Sequence, residues 1–394
     1  MKYDFDEIVP REGTDSMKLK YVKDICGRDD VLPMWVADMD FRTPPFVVKA
    51  IEKRANQGVL GYTCTHDRYY DSICRWSKEH YGMEITNENV NYIPGVVAGI
   101  LLAVQVFTEK NDRILIQQPV YHPFRIVPEA TGRKVVMSPL RRVGSSFEMD
   151  FEQLRKDIKG CKMMILCNPH NPAGICWSKE DLQTVAQICA EEGVLVISDE
   201  IHCDMILHGK KHIPFATVSE EARMNSITLQ APSKVFNMPG VVAAHAIVFN
   251  PEIREKYFGY IWGTDQDAGN VFAYDCVAAC YSEEGDEWRK EMLAYVEGNI
   301  DLLCTRLAEE CPQITPVRPE ASFLVFLDCR KLMEEKGMKE QSELIRFFAD
   351  KAHLAFNSGD MFGCLGKGYM RMNIACPHSV VNKAIDLMVE AIKQ

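Results

Sequence analysis

Between about residues 85 and 250 the chain alternates short apolar runs with longer amphipathic ones. The runs RILIQQ (113–118), KVVMS (134–138), KMMILC (162–167), VLVIS (194–198), SITLQ (226–230) and AHAIVF (244–249) are rich in β-branched and other apolar residues, several of them at odd and even positions alike. A strand that is apolar on both faces is covered on both faces, as in a parallel sheet packed between helices. Between two of these runs, SKEDLQTVAQICAEEG predicts a helix. Ser178 can cap it with Asp181 reaching back, Leu182, Val185, Ala186 and Cys189 form one apolar stripe, and Gly193 stops it. This alternation predicts an α/β fold with a large, mostly parallel sheet.

The pattern changes after a long helical stretch from about Trp288 to Glu310. SFLVFLDC, QSELIRFFADKA, GYMRMNIAC and SVVNKAIDLMVEAIK predict a smaller α+β unit at the end of the chain. The first 45 or so residues are extended and proline-containing, with little periodicity, so they should wrap onto a neighbour. The expected division is an N-terminal segment (1–47) belonging to the small domain, a large domain (48–287) and the C-terminal small domain (288–394).

Composition narrows the function. A net charge of −11 disfavours nucleic acid, whose phosphates demand clustered Lys and Arg, and leaves small molecules as the expected partners. No apolar run is long enough to span a membrane, and MKYDFDEIVPREG has no targeting character. Fifteen cysteines without a CxxC pair argue against a zinc site and suit a reducing compartment, so no metal is expected and the cytoplasm is the expected location.

In open α/β sheets, ligands gather at the C-terminal ends of the strands. Five unusual stretches fall there. Gly95 opens a helix after NVNYI, a geometry whose free N–H groups suit a phosphate. QQPVYHPF with Tyr121, NPHNPAG with Asn171, SDEIHCD with Asp199, and APSK with Lys234 follow four further runs. Taken singly, each has an ordinary reading: a turn glycine, a packing aromatic, a loop of turn formers, an acidic helix start, a surface lysine. Arg371, in YMRMNIA, would alone be an edge-strand charge. The ordinary readings do not account for their joint placement at one edge.

Pyridoxal phosphate (PLP) uses every member of this set. It needs a phosphate site, a flat aromatic against its ring, a carboxylate to keep the pyridine nitrogen protonated, an Asn donor and a lysine amine for its aldehyde. A lone lysine at the end of a buried strand is then a nucleophile whose surroundings should lower its pKa.

With these motifs in view the chain resembles the fold type I PLP enzymes of aminotransferase class I/II, and within them the MalY/PatB group of cystathionine β-lyases, or carbon–sulfur lyases. The stretches that carry the resemblance are VLPMWVADMDFRTPP (31–45), LGYT (60–63), PGVVAGI (94–100), PVYHPF (119–124), LCNPHNPAG (166–174), ISDEIHCDMIL (197–207), APSKVFNMPG (231–240) and RMNIACP (371–377). The resemblance implies a seven-stranded, mostly parallel sheet in the large domain, with the cofactor held as a covalent aldimine on Lys234. It assigns Asp199 to the pyridinium, Asn171 to the phenolic oxygen, Tyr121 to ring stacking, and the amides of Gly95, Val96 and Val97 with Ser233 to the phosphate. It gives Arg371 the substrate carboxylate, and it implies a homodimer in which Tyr62 reaches the phosphate or substrate of the other subunit. Cis peptides are implied before Pro119 and Pro172.

There are departures. His202, counted as a cofactor contact, stands where typical aminotransferases have tyrosine, as in the lyase branch. Ala231 and Val242 replace a serine and an arginine that hold phosphate, so the phosphate should lean on the helix N-terminus. Ile175 replaces an arginine common in the lyase branch, and GTDQDAGN (263–270) is unusual; both bear on substrate preference. The expected reaction is β-elimination from cystathionine, cysteine or related S-substituted L-amino acids to a thiol, pyruvate and ammonia. Lys234 is the expected base, and Tyr121 or Tyr62 the candidate acid for the leaving sulfur. The alternative is an aminotransferase on the same scaffold. Met34, Trp35 and Met39 either line a pocket for a thioether or pack the core.

Overall fold

The computed structural model describes residues 2–393. Its centre is a seven-stranded sheet made of β1 (Val90–Ile93), β2 (Arg113–Gln118), β3 (Lys134–Pro139), β4 (Cys161–Cys167), β5 (Leu195–Asp199), β6 (Ser226–Gln230) and β7 (Ala244–Ile247). Their spatial order is β1-β7-β6-β5-β4-β2-β3. Only β7 runs antiparallel to its neighbours. The five residues of β5 and the five of β6 are all buried, which is why these runs carry no polar alternation. Each run predicted from the apolar pattern is a strand, with ends that move by one or two residues.

Helices cover both faces. α1 (Val96–Phe107) follows β1 and packs closely on the sheet because Gly99 has no side chain: a Cβ there would lie 2.5 Å from Ile93 Cδ1 and 3.3 Å from Leu229 Cδ1. α2 (Lys179–Glu192) has the expected ends, with Ser178 and Asp181 forming a capping box and Gly193 left-handed at φ +65. Leu182, Val185, Ala186 and Cys189 are its buried stripe.

α3 (Glu283–Glu310) begins five residues before the predicted helix, because Ser282 accepts a hydrogen bond from Gly285 N and three acidic residues occupy the first turn. It leads to a four-stranded antiparallel sheet of β8 (Thr315–Val317), β9 (Leu324–Asp328), β10 (Asn357–Ser358) and β11 (Tyr369–Asn373), in the order β8-β9-β11-β10. The run QSELIRFFADKA is helical over Gln341–Arg346 and then widens into a π-turn over Phe347–Lys351. α4 (His378–Lys393) closes the chain.

The N-terminal stretch is extended in part only. It forms two short helices, Met17–Lys20 and Val22–Cys26, which are too brief to show periodicity in the sequence. Leu32–Pro33 then pairs in parallel with Leu354–Ala355, so the start of the chain completes structure near its end. Met34 and Met39 are buried in the main apolar core, and Trp35 packs with Val22 and Ala355 while its Nε1 donates to the Lys18 carbonyl at 2.9 Å. Packing is therefore the role the structure gives these three residues; none of them lines the cavity described next.

Candidate active site

The parallel register brings the C-terminal ends of the central strands level. Cys167 pairs with Asp199, and Asp199 with Leu229. The chain leaves the sheet at these points, and the loops that follow enclose a cavity of ≈230 Å³. Gly95, Val96 and Val97 line it from the start of α1, and Tyr121 from the loop after β2. Asn171 enters from the loop after β4, Asp199 and His202 from the end of β5, and Ser233 with Lys234 from the loop after β6.

Gly95 has φ +113, a conformation open to glycine, and it directs the first N–H groups of α1 at the cavity. The loops support one another. Tyr121 N donates to the Asn171 carbonyl at 3.1 Å, and His170 Nε2 donates to the Pro119 carbonyl at 2.8 Å. The bonds before Pro119 and Pro172 are cis, as implied by the resemblance, and so is that before Pro169. Gly174, at φ +66, lies under the 319–321 segment, where Glu320 N and Ala321 N donate to its carbonyl.

The electrostatics are those of a site built around charges out of water. Burial lifts the Asp199 carboxyl to about 7; the Ile201 N–H, at 3.0 Å from Oδ1, opposes the rise and neighbouring Glu200 adds to it. Burial, and then the charge of Arg371, bring the Lys234 amine down to about 8, against the pull of Asp38 and Asp199. His202 falls to about 3 through burial and then through Lys234 and Arg371, so its imidazole is neutral; its Nδ1 is buried without a partner. Burial pushes the Tyr121 hydroxyl up. Behind Asp199, the fully buried Glu200 accepts from Ser198 Oγ, Phe215 N, Gln230 Nε2 and His212 Nε2, which fixes the turn that follows β5.

Arg371 reaches the same place from β11. Its Nη1 donates to Asn171 Oδ1 at 3.0 Å and its Nη2 to Asn357 Oδ1 at 2.8 Å, while Nε is buried without a partner. Tyr62 is the one predicted residue that stands apart. It is fully exposed on a separate open cleft, which it lines with Tyr70, Tyr92 and residues 267–271, so the unusual 263–270 stretch lies beside it. Ile175 is half-buried and bridges to His170, as part of the Asn171 loop.

Several contributors were missed in the sequence. Ala37, Cys167, Ile201 and Ala243 also line the cavity, and Asn357 holds Arg371. Val242, which replaces the arginine of typical aminotransferases, lines the wall at φ +56, a strained conformation for a β-branched residue. Ala37 belongs to VLPMWVADMDFRTPP, but nothing local marks an alanine carbonyl as the acceptor for Lys234 Nζ, 2.8 Å away.

Comparison with known proteins agrees with this geometry. The sequence matches the family "Aminotransferase class I and II" over residues 29–387. It is 37% identical to cystathionine beta-lyase PatB of Bacillus subtilis (strain 168) over 374 residues, 94% of this chain and 95% of PatB. It is 30% identical to protein MalY of Escherichia coli (strain K12), with 99% of each chain covered. The structure superposes with a TM-score of 0.93 on the PLP-bound C-S lyase from Staphylococcus hominis, at 33% identity, covering 100% of this chain and 98% of that one. An end-to-end match in sequence and fold, with a lysine, a carboxylate and a helix N-terminus converging on one cavity, means that this chain belongs to the aminotransferase class I and II family, alongside PatB and MalY.

Proposed function

We propose that the protein is a PLP-dependent carbon–sulfur β-lyase that uses water to convert cystathionine, cysteine or related S-substituted L-amino acids to a thiol, pyruvate and ammonia. The observation that carries this reading is the convergence of Lys234, Asp199, Asn171, Tyr121 and the start of α1 on one cavity, in a chain 37% identical to a cystathionine beta-lyase. Burial lowers the Lys234 amine and raises the Asp199 carboxyl, and a cofactor with a cationic ring nitrogen and an aldehyde answers both.

The residues present fit the group. The amides at the start of α1 and Ser233 would hold its phosphate, Asp199 its ring nitrogen, Asn171 its phenolic oxygen, Tyr121 its ring face and Lys234 its aldehyde carbon; His202 adds a neutral contact. With Ala231 and Val242 offering no charge, the phosphate site rests on the helix N-terminus. When bound, PLP supplies the electron sink that makes the substrate α-hydrogen acidic and lets the β-sulfur leave.

The protein's own groups do the rest. Arg371, brought down by burial to about 10 and so still charged at neutral pH, takes the substrate carboxylate through its guanidinium fork. Lys234, whose lowered pKa leaves part of its amine uncharged near neutral pH, takes the α-proton. Tyr121, whose hydroxyl keeps its proton at neutral pH, is the nearer candidate to protonate the departing sulfur.

The same proposal includes the wider organisation. Residues 1–47 go with the small domain, in line with the Leu32–Leu354 pairing, followed by a large domain (48–287) and the rest of the small one (288–394). The protein acts as a homodimer, a reading supported by the outward position of Tyr62. It works in the cytoplasm, a reading supported by fifteen cysteines that are all free.

The test is product analysis with cystathionine and cysteine and no added keto acid. Pyruvate and free thiol in equal amounts are expected. Turnover that strictly requires a keto-acid acceptor would replace the lyase by an aminotransferase on the same scaffold.

A further inference from the structure

The amine of Lys234 donates to the Ala37 carbonyl at 2.8 Å, and the backbone around Ala37 is gripped from two sides. Asn373 Nδ2 donates to the carbonyls of Val36 at 2.7 Å and Asp38 at 2.6 Å. The Asn237 carboxamide accepts from Met39 N at 2.9 Å and donates to the carbonyls of Met39 at 3.1 Å and Phe41 at 2.7 Å. Asn237 lies three residues after Lys234, and Asn373 two after Arg371. The stretch is thus tied to both elements of the site. Val36 sits at φ +55, a strained conformation for a β-branched residue that persists only where the surroundings over-determine it.

Asp38 follows Ala37 directly. Its Oδ2 accepts from Arg11 Nη2 at 2.6 Å, whereas Oδ1 is buried without a hydrogen-bond partner, 3.7 Å from Lys18 Nζ. Lys18 is only 2% exposed, and it shares Asp40 with Arg11 at 2.7 Å and 3.0 Å. Two bases, both also bound to Asp40, therefore hold this carboxylate one residue along the chain from the carbonyl that accepts from the Lys234 amine.

We infer that Asp38 is a positioning residue for the proposed reaction: held by Arg11 and Lys18, its carboxylate places and charge-balances the Lys234 amine on the Ala37 carbonyl. The inference rests on the reading of Lys234 as the cofactor lysine. Asp38 acts through that lysine and needs no contact with substrate or cofactor.

The charges that face Lys234 come from three directions. Asp38 belongs to the N-terminal stretch, Asp199 and the neutral His202 to the end of β5, and Arg371 to β11, with the protonated Tyr121 across the cavity. Burial and then Arg371 favour the neutral amine, and Asp38 and Asp199 favour the charged one. For its part Asp38 is raised by burial, but Arg11 first and then Lys18 outweigh this and keep it ionised. Removing the Asp38 charge should therefore release neutral amine at lower pH. Removing Arg11 takes away the group that does most to keep Asp38 ionised and in place, so it should act in the same direction and by less.

The experiment follows capture of pyridoxal phosphate by the cofactor-free, full-length protein. Visible absorbance is recorded from pH 6 to 10, with Lys234→Ala subtracted as the background of other lysines. The wild-type rate should rise with a midpoint of about 8. In Asp38→Asn the midpoint should move down, with capture at pH 7 on the order of 3- to 10-fold faster; in Arg11→Gln it should move down by less, with capture on the order of 2- to 3-fold faster. If both variants fold by circular dichroism and keep the wild-type midpoint, whatever happens to their melting temperatures, Asp38 is structural only and the inference is wrong. If Asp38→Asn does not fold, Arg11→Gln decides alone, and an unchanged or raised midpoint overturns it. Equal capture by wild type and Lys234→Ala would remove the cofactor reading itself, a failure distinct from an unmoved midpoint.

Discussion

Arg371 and Asn171, 200 residues apart in the chain, are joined by a 3.0 Å hydrogen bond from a guanidinium Nη1 to a carboxamide oxygen. The bond connects the small sheet to the loop after β4, so the proposed carboxylate site and the proposed cofactor site share a partner. Asn357 takes the second Nη, and Nε is left free inside the protein for an incoming acceptor.

Arg371→Lys should therefore lose more than a fork. A lysine has one point charge to divide among Asn171, Asn357 and a substrate carboxylate. We expect kcat/KM to fall on the order of 100-fold, mostly through KM, while cofactor absorbance persists. Steady-state kinetics with cysteine decides this; an unchanged KM would remove Arg371 from substrate binding.

The two displaced groups give the cofactor-free protein a distinctive pH response. Asp199 is raised from 3.8 to about 7, so between these values the folded state holds a proton that the unfolded state has lost. This contribution is complete below pH 3.8 and disappears as pH rises through about 7. Lys234 is lowered from 10.5 to about 8, so its contribution is present above 10.5 and is lost as pH falls through about 8. Near pH 7–8 both groups are at their least favourable, and added pyridoxal phosphate should raise the melting temperature most there. Asp199→Asn should flatten the stability of the cofactor-free protein from pH 5 to 7 relative to wild type. Parallel curves for the two proteins in urea titrations would contradict the assignment.

Gly174→Ala tests the support of the Asn171 loop. The new Cβ would lie 2.5 Å from Pro319 Cβ and 2.8 Å from the Ala321 carbonyl, at a φ of +66. A loss of about 2–4 kcal/mol is expected from overpacking and backbone strain together. Thermal denaturation measures it, and a loss below about 1 kcal/mol would mean that the 319–321 segment yields easily.

Tyr62 offers a test of the proposed dimer. If it completes the neighbouring site, mixing Lys234→Ala and Tyr62→Ala subunits yields hybrids in which one site of two has both residues. Activity should then return to as much as about half the wild-type level per hybrid, although each parent is impaired. Failure of the mixture to exceed its parents, with hybrids demonstrated by mass, would exclude sharing of the site.

The large sheet was legible because strands buried on both faces leave unbroken apolar runs, and the loops after them stand out as polar punctuation. Asp199 follows such a run at once, and Asn171 and Lys234 lie in the short loops that come directly after two others. Arg371 needed the family resemblance, since YMRMNIA reads equally well as an edge strand, yet all five residues of β11 are buried. The cluster of Arg11, Lys18, Asp38 and Asp40, and the grips of Asn237 and Asn373, were invisible because each depends on partners brought together by the fold. Asn373 and Val36 are 337 residues apart. The short N-terminal helices and the π-turn at Phe347 were lost on length, being too brief for any period to register.

The pairing of Leu32 with Leu354 has a consequence for how the protein is made. A ribosome emits Met34, Trp35 and the lysine-bearing loop long before the strand and the asparagine that anchor them exist. The nascent chain must therefore carry Trp35 with Val22 but without Ala355, and residues 36 to 38 without their grip, until its last few dozen residues emerge. The residues lining the cofactor cavity have all emerged by Ala243, so what the end of the polypeptide adds is the Arg371 side chain and the asparagine that grips residues 36 to 38.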